Sequence, residues 1–373
     1  MRLLLYILLF IPGLVSAQVS LEAKIGEVMT KYKAVGLSVA VIKANKPFYQ
    51  KAFGKQSLET GQPLQENNIF RIASISKSFS ATSIMQLVEA EKLSLNDDMS
   101  KLMGFNVRNP KYPFATITLK MVLSHTSSIN DSQGYFSLDA INPDKNPNWE
   151  KCYNTYAPGM GYEYCNLNFN MVGTIIEKTS GMRFDQYVVR NILNPLKIYG
   201  GYCVDSLNQQ LMASIYNYDT LTQKYILSEG AYNPRREEIR NYVFGYSTPI
   251  FSPTGGMKIS APDLAKYMTL HMNYGKSGKV RIIHKKSSKI MQTPVSDIES
   301  YGLALWRTAK FIDGESLVGH TGSAYGLYSC MFFNPKKKFG IVAITNGCKE
   351  PETDSYNQFL KEIANILYQD LIR

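Results

Sequence analysis

Ser74-Ile75-Ser76-Lys77 sets a hydroxyl and an amine three residues apart, ahead of helix-compatible residues through Ala90. Residues three apart on a helix share a face, so the spacing predicts the Lys77 amine beside the Ser74 hydroxyl. A serine is a weak nucleophile until a neighbour takes its proton, and a lysine desolvated between apolar walls loses enough charge to take it. Phe79, Ile84, Leu87 and Val88 are available as such walls. A helix N-terminus at Ser74 would also aim backbone N–H groups and the positive end of the dipole at an incipient oxyanion. Ser-x-x-Lys is weak evidence alone, since roughly two or three matches arise by chance in a chain of this size and composition. It occurs once here. The bland alternative is a surface serine and lysine in a helix's first turn.

Other chemistries lack their residues. The chain has no GxSxG elbow, HExxH, phosphate-binding GxxxxGK[ST] loop or convincing GxGxxG. Its 5 cysteines include no CxxC pair, and no two of the 4 histidines and the cysteines recur at the short spacings zinc demands, so neither metal nor cofactor is implied. The odd cysteine number leaves at least one unpaired within the chain. A net charge of +11 suits an acidic partner such as an envelope polymer. Nucleic acid is not expected, because the basic residues form short clusters such as Arg235-Arg236, Lys285-Lys286 and Lys336-Lys337-Lys338, which read as solvated faces or turns.

Two further segments carry candidate chemistry. Tyr164-Cys165-Asn166 follows Pro158-Gly159 and precedes a helix, while His320-Thr321-Gly322 ends a predicted strand between Gly319 and Gly326. Singly, the tyrosine reads as a core ring with a satisfied hydroxyl, and the second segment as a sheet-edge turn. In this order with Ser74-Ile75-Ser76-Lys77, they resemble the three active-site elements of the serine β-lactamase and penicillin-binding protein superfamily, particularly its class C and DD-peptidase-like branch. The stretch from Ile117 to Ser128, Gly255-Gly256 and Val318-Gly319 add to the resemblance, which spans about Gly36 to the last helix.

The resemblance implies that Ser74 is the acylated nucleophile and that Lys77 and Tyr164 form the proton-transfer pair. Asn166 would meet the substrate's acyl-side amide, and the N–H groups of Ser74 and Ser323 would form the oxyanion hole. His320, Thr321 and Gly322 would face the substrate's carboxylate or leaving group. Two departures qualify this. His320 stands where many β-lactamases carry lysine, which weakens a fixed carboxylate clamp and points away from potent β-lactamase activity. Were a protonated His320 the clamp, activity on anionic substrates would fall as pH rises past its pKa. Cys165 replaces the more usual serine, but in an extended segment its side chain points away from Tyr164 and Asn166. His125 is expected in a structural turn, and Cys330 packed in a strand rather than reactive.

The elements that must position these groups follow from periodicity. Leu21, Ile25, Val28, Met29 and Tyr32 recur at helical spacing, and Gly36 to Ile42 and Pro47 to Phe53 read as a hairpin. Glu315 to Val318, Leu327 to Phe333 and Phe339 to Thr345 read as three strands before a last helix carrying Phe359, Ile363 and Leu367. Between them, helices are predicted at Thr118 to Leu123, Asn168 to Lys178, Phe184 to Leu193 and, capped by Ser260, Leu264 to Met268. The expected fold is α/β (α+β), β-lactamase/transpeptidase-like: an antiparallel sheet flanked by helices and built from both chain ends, with an inserted, mainly helical lobe at about 72–230. The aperiodic stretch Ser132 to Met160 reads as a wall or lid of a site, or as a plain surface excursion.

Arg2, the apolar run Leu3 to Ile11 and Val15-Ser16-Ala17 read as a signal peptide over 1–17, with 18–373 as the mature hydrolase domain, periplasmic or extracellular. No later apolar run is long enough to cross a membrane. The function expected is an exported serine hydrolase or acyltransferase acting through a Ser74 acyl-enzyme on a small-molecule acyl, peptide or lactam substrate, DD-peptidase- or esterase-like. The alternative is a non-catalytic module of the same fold that senses penicillins or peptidoglycan fragments.

Overall fold

A computed structural model describes residues 20–349 and 356–373. The predicted signal peptide lies outside them. Six strands form one antiparallel sheet in the order Trp306–Thr308, Leu317–Ala324, Leu327–Asn334, Phe339–Thr345, Gly36–Lys43, Lys46–Gly54. The two chain ends meet inside it, with Leu37 opposite Thr345 and Ile42 opposite Gly340. Both faces of the central strands are buried, which is why Gly36–Lys43 and Phe339–Thr345 read as continuous apolar runs rather than alternating ones.

Helices cover the two faces. Leu21–Lys31 and Gln358–Leu367 pack one face through Ile25, Val28, Phe359 and Ile363. Ala261–Met272 packs the other through Leu264 and Met268, opened as predicted by Ser260, whose hydroxyl accepts from the Asp263 N–H. Thr118 likewise caps Leu119–Leu123. Phe184–Leu193 is helical but widens after Val188. The segment from 72 to 230 is rich in helices yet also holds the hairpin Tyr216–Asp219/Lys224–Leu227 and the strand Gly200–Gly201. That strand joins a three-stranded sheet with Lys258–Ile259 and Phe70–Arg71. Among the described residues no helix is long and apolar enough to cross a membrane.

Two elements decide the site. Helix Ser76–Glu89 is buried on every side through most of its length, although it is rich in serine and threonine. Its hydroxyls make this tolerable: Ser78, Thr82 and Ser83 donate to carbonyls within the same segment, and Ser80 donates to the Pro253 carbonyl. The strand of His320 runs on through Ala324 rather than ending at Gly322 as predicted. Its outer neighbour Trp306–Thr308 pairs only with Leu317 to Gly319, so beyond Gly319 that edge carries no strand partner. This open edge borders a large cavity.

Candidate active site

A cavity of about 890 Å³ opens between the helix of Lys77 and the strand of His320. Ser74, Tyr164, Asn166, His320, Thr321, Gly322 and Ser323 all line it. Lys77, the remaining predicted site residue, lies just behind, fully buried. Three segments separated by about ninety residues or more thus converge on one cavity.

Ser74 sits in a tight turn, Ala73–Ile75, that leads into the helix. Ala73 before it holds a left-handed backbone at φ 46°, a costly conformation for a residue with a Cβ and one that clusters at functional sites. The turn is pinned at Ile72 on both sides: its N–H donates to the Met257 carbonyl, and its carbonyl accepts from the Ser329 side-chain hydroxyl. Gly322 explains the close approach of the strand. A Cβ there would meet the Ile72 carbonyl oxygen at 2.3 Å, so a side chain would push the strand off the Ser74 turn.

Lys77 Nζ donates to Ser74 Oγ (3.1 Å), Asn166 Oδ1 (2.9 Å) and the Thr254 carbonyl (3.0 Å). Burial pushes its pKa down to about 7, opposed by the Asp131 carboxylate. The amine also lies 4.7 Å from the Tyr164 ring centroid, where the ring's negative face favours the charged form. Ammonium and free amine are therefore both populated near neutrality.

Tyr164 is fixed from behind. The Ser124–Ser128 turn reaches the segment through the Glu163 N–H on the His125 carbonyl (2.9 Å) and the Cys165 N–H on His125 Nδ1 (3.1 Å). The His125 ring packs 4.3 Å from that of Tyr164. His125 itself is buried, and burial holds its pKa well below the ordinary histidine value, in keeping with the structural turn expected of it. The Tyr164 hydroxyl is buried without a completed hydrogen bond, and burial raises its pKa, with Ser74 opposing the rise.

Sequence reasoning missed Asp131. Its carboxylate accepts from the Asn166 N–H (2.8 Å), Asn166 Nδ2 (2.9 Å), the Leu167 N–H (2.9 Å) and Cys165 Sγ (3.2 Å). An anion at the start of helix Asn166–Ser180 is where orphan N–H groups and the helix dipole favour one. It also fixes the Asn166 amide, whose Oδ1 accepts from Lys77 and from Thr254 Oγ1 (2.8 Å). One Asn166 N–H remains for a ligand. Cys165 points to Asp131 and away from the cavity, as alternation predicts. Cys330 is buried, with its thiol pushed up to about 12. All five cysteines are free thiols.

His320 departs from the protonated clamp. Burial pushes its pKa down to about 4, with the Thr321 carbonyl opposing and Lys77 reinforcing the fall. The carbonyl can only accept, so Nδ1 carries the proton (2.5 Å), and Nε2 accepts from the Tyr301 hydroxyl (2.9 Å). At pH 7 the ring is neutral, held by two partners, and supplies no charge to a substrate carboxylate. The aperiodic loop is a wall of the site, contributing Tyr135 and Phe136 to the lining.

A family model described as Beta-lactamase matches residues 21–365, and the chain belongs to that family. Its fold is that of β-lactamases and transpeptidases, and its family is one of serine hydrolases. Protein flp of Staphylococcus aureus strain N315 is 26% identical over 329 residues, covering 83% of this chain and 59% of its own length. The chain thus spans well under two thirds of that relative. A penicillin-binding protein homologue from Pyrococcus abyssi superposes with a TM-score of 0.73 at 26% identity, covering 94% of this chain and 76% of the other. The D-amino acid amidase of Ochrobactrum anthropi SV3 superposes with a TM-score of 0.70 at 19% identity, covering 93% and 98%, a likeness of fold.

Proposed function

We propose that this chain is an exported serine hydrolase or acyltransferase that forms an acyl-enzyme on Ser74. The observation carrying this reading is a fully buried amine, with a pKa near neutrality, 3.1 Å from the Ser74 hydroxyl. In its uncharged form Lys77 takes the Ser74 proton as Oγ attacks an ester or amide carbonyl. Negative charge on the carbonyl oxygen is met by the Ser74 and Ser323 N–H groups. Collapse breaks the carbonyl–leaving group bond, and the leaving atom needs a proton. Tyr164 suits that delivery: its pKa is raised, so it keeps its proton at neutral pH, and its hydroxyl is buried beside Ser74. Lys77 restores the phenol. Water then repeats the sequence on the acyl-enzyme, so acyl compound plus water gives acid plus protonated leaving group; another acceptor in place of water gives acyl transfer.

Asn166 would hold the acyl side through its spare N–H, and Thr321 and the open strand edge the leaving side. A neutral His320 favours DD-peptidase- or esterase-like substrates over potent β-lactamase action. The amidase neighbour acts on D-amino acid amides by its name, which fits the amide option. Export is supported by the leader-like residues 1–17.

The test is labelling with a fluorophosphonate and with a fluorescent penicillin, followed by peptide mapping. A single adduct on Ser74 is expected, with turnover of short 4-nitrophenyl esters or D-Ala-D-Ala peptides. Folded protein that takes neither reagent at Ser74 would overturn the reading.

A further inference from the structure

Beside the cavity, two basic residues face each other across a strand pair. Arg71 and Lys258 are register partners between Phe70–Arg71 and Lys258–Ile259. Like charges directly opposite on a sheet repel, and Lys258 is only 3% exposed. Their acceptors are all neutral. Arg71 donates to the Gly255 carbonyl (2.9 Å), the Ala231 carbonyl (3.3 Å) and Ser252 Oγ (3.3 Å), spending three of its five donors. Lys258 donates to the Tyr202 carbonyl (2.6 Å), spending one of its three.

Both line a recess of about 30 Å³ together with Arg235, room for a small polar head group and not for a ring. This recess shares Arg71, Phe136, Ser252 and Tyr325 with the large cavity. Acidic groups beside Arg235 and Lys258 are already engaged. Glu238 pairs with Arg235, Asp205 binds the Arg235 N–H and Arg236, and Asp185 pairs with Arg183. Burial pushes Lys258 well below the ordinary lysine value, with Arg71 adding to the fall, and an anion set between the two would oppose both effects. Buried cations without a counter-charge cost stability, and that cost is removed by a bound anion.

We propose that Arg71, Lys258 and Arg235 form an anion subsite that takes a carboxylate carried on the acyl group of the substrate. The geometry selects the acyl side. Tyr325, against whose ring the Arg71 guanidinium lies at 5.0 Å, is five residues beyond His320, on the order of 15 Å along an extended chain. Arg71 lies three residues before Ser74, at most about 10 Å of chain. An acyl chain of about five carbons ending in a carboxylate spans such a gap. The inference rests on the Ser74 acyl-enzyme reading and deepens it, defining the substrates as half-esters or peptides with a second acid group on the acyl portion.

The experiment compares kcat/KM for mono-4-nitrophenyl glutarate with that for 4-nitrophenyl pentanoate, in 0.15 M salt, for wild type, R71M, K258M and K285M. Wild type should favour the anionic ester at least tenfold. K258M and R71M should each cut that preference at least fivefold, while K285M, which removes an equal charge from the exposed surface, should keep it. R71M also loses ties to two loops, so K258M carries the result if R71M fails to fold. A wild-type preference below tenfold, a preference kept in K258M, or an equal loss in K285M overturns the subsite. Labelling of Ser74 by a fluorophosphonate is read in parallel. Labelled protein with no anionic preference loses the subsite alone, whereas absence of labelling removes the acyl-enzyme reading and the subsite with it.

Discussion

Lys77 and Lys258 are both buried, and burial depresses the pKa of each. Lys77 is surrounded by three acceptors, one of them the Ser74 hydroxyl, and an anion behind Asn166 steadies its charge. Lys258 has one carbonyl and a guanidinium opposite. Burial alone therefore does not make a base. A depressed pKa becomes catalytic where the amine also touches a nucleophile and has partners that hold it in place in both protonation states.

The contrast is broken most severely at the nucleophile. S74A should lower kcat/KM for a neutral aryl ester by roughly 1,000-fold or more and abolish the labelled peptide, because among the described residues the hydroxyl that accepts from Lys77 Nζ is that of Ser74. K77M should cost about a hundredfold or more. In wild type, kcat/KM for that ester should rise with pH through about 7 and then level, since the free amine is the active form; K77M should lose this limb. Between pH 5 and 8 no falling limb is expected from His320, neutral down to about 4, and a loss of anionic-substrate activity tracking its titration there would contradict its tautomer.

Asp131→Asn sharpens the comparison more gently. It keeps the shape at the helix start but removes the charge that holds Lys77 up, so the limb should move to lower pH while kcat/KM falls roughly tenfold to a hundredfold as Asn166 loses its fix. An unmoved limb would show that Asp131 acts by shape alone. The smallest effect is on Lys258: K258M relieves a repulsive buried pair and should raise the melting temperature by about 2 °C, measured by calorimetry without substrate. A lowered melting temperature would mean that Lys258 is a structural tie to the Tyr202 carbonyl.

Much of the scaffold is local and was therefore readable. Thr118 and Ser260 announce their helices because capping is decided within four residues, and Ile25, Val28, Phe359 and Ile363 announce buried faces by periodicity. Gly322 and the polar residues around it look like a turn and predict an early end to the strand of His320. It continues because Gly322 lets the strand lie against the Ile72 carbonyl, a fact visible only across the cavity. Asp131 sits just before a loop without periodicity, and its partners lie 34 to 36 residues away. Thr254 serves Lys77 through a backbone carbonyl, for which residue type gives no signal.

The order and spacing of Ser74, Lys77, Tyr164 and His320 determined which groups were available for chemistry, because side-chain identity and helical repeat are properties of the chain itself. Which of them carries charge was decided by folding. An amine moved out of water to a pKa near 7, an imidazole sealed between a carbonyl and a phenol, and two cations set opposite one another all depend on what distant segments bring within a few ångströms. Desolvation and Coulomb energies belong to that enclosure and are written nowhere in the local sequence.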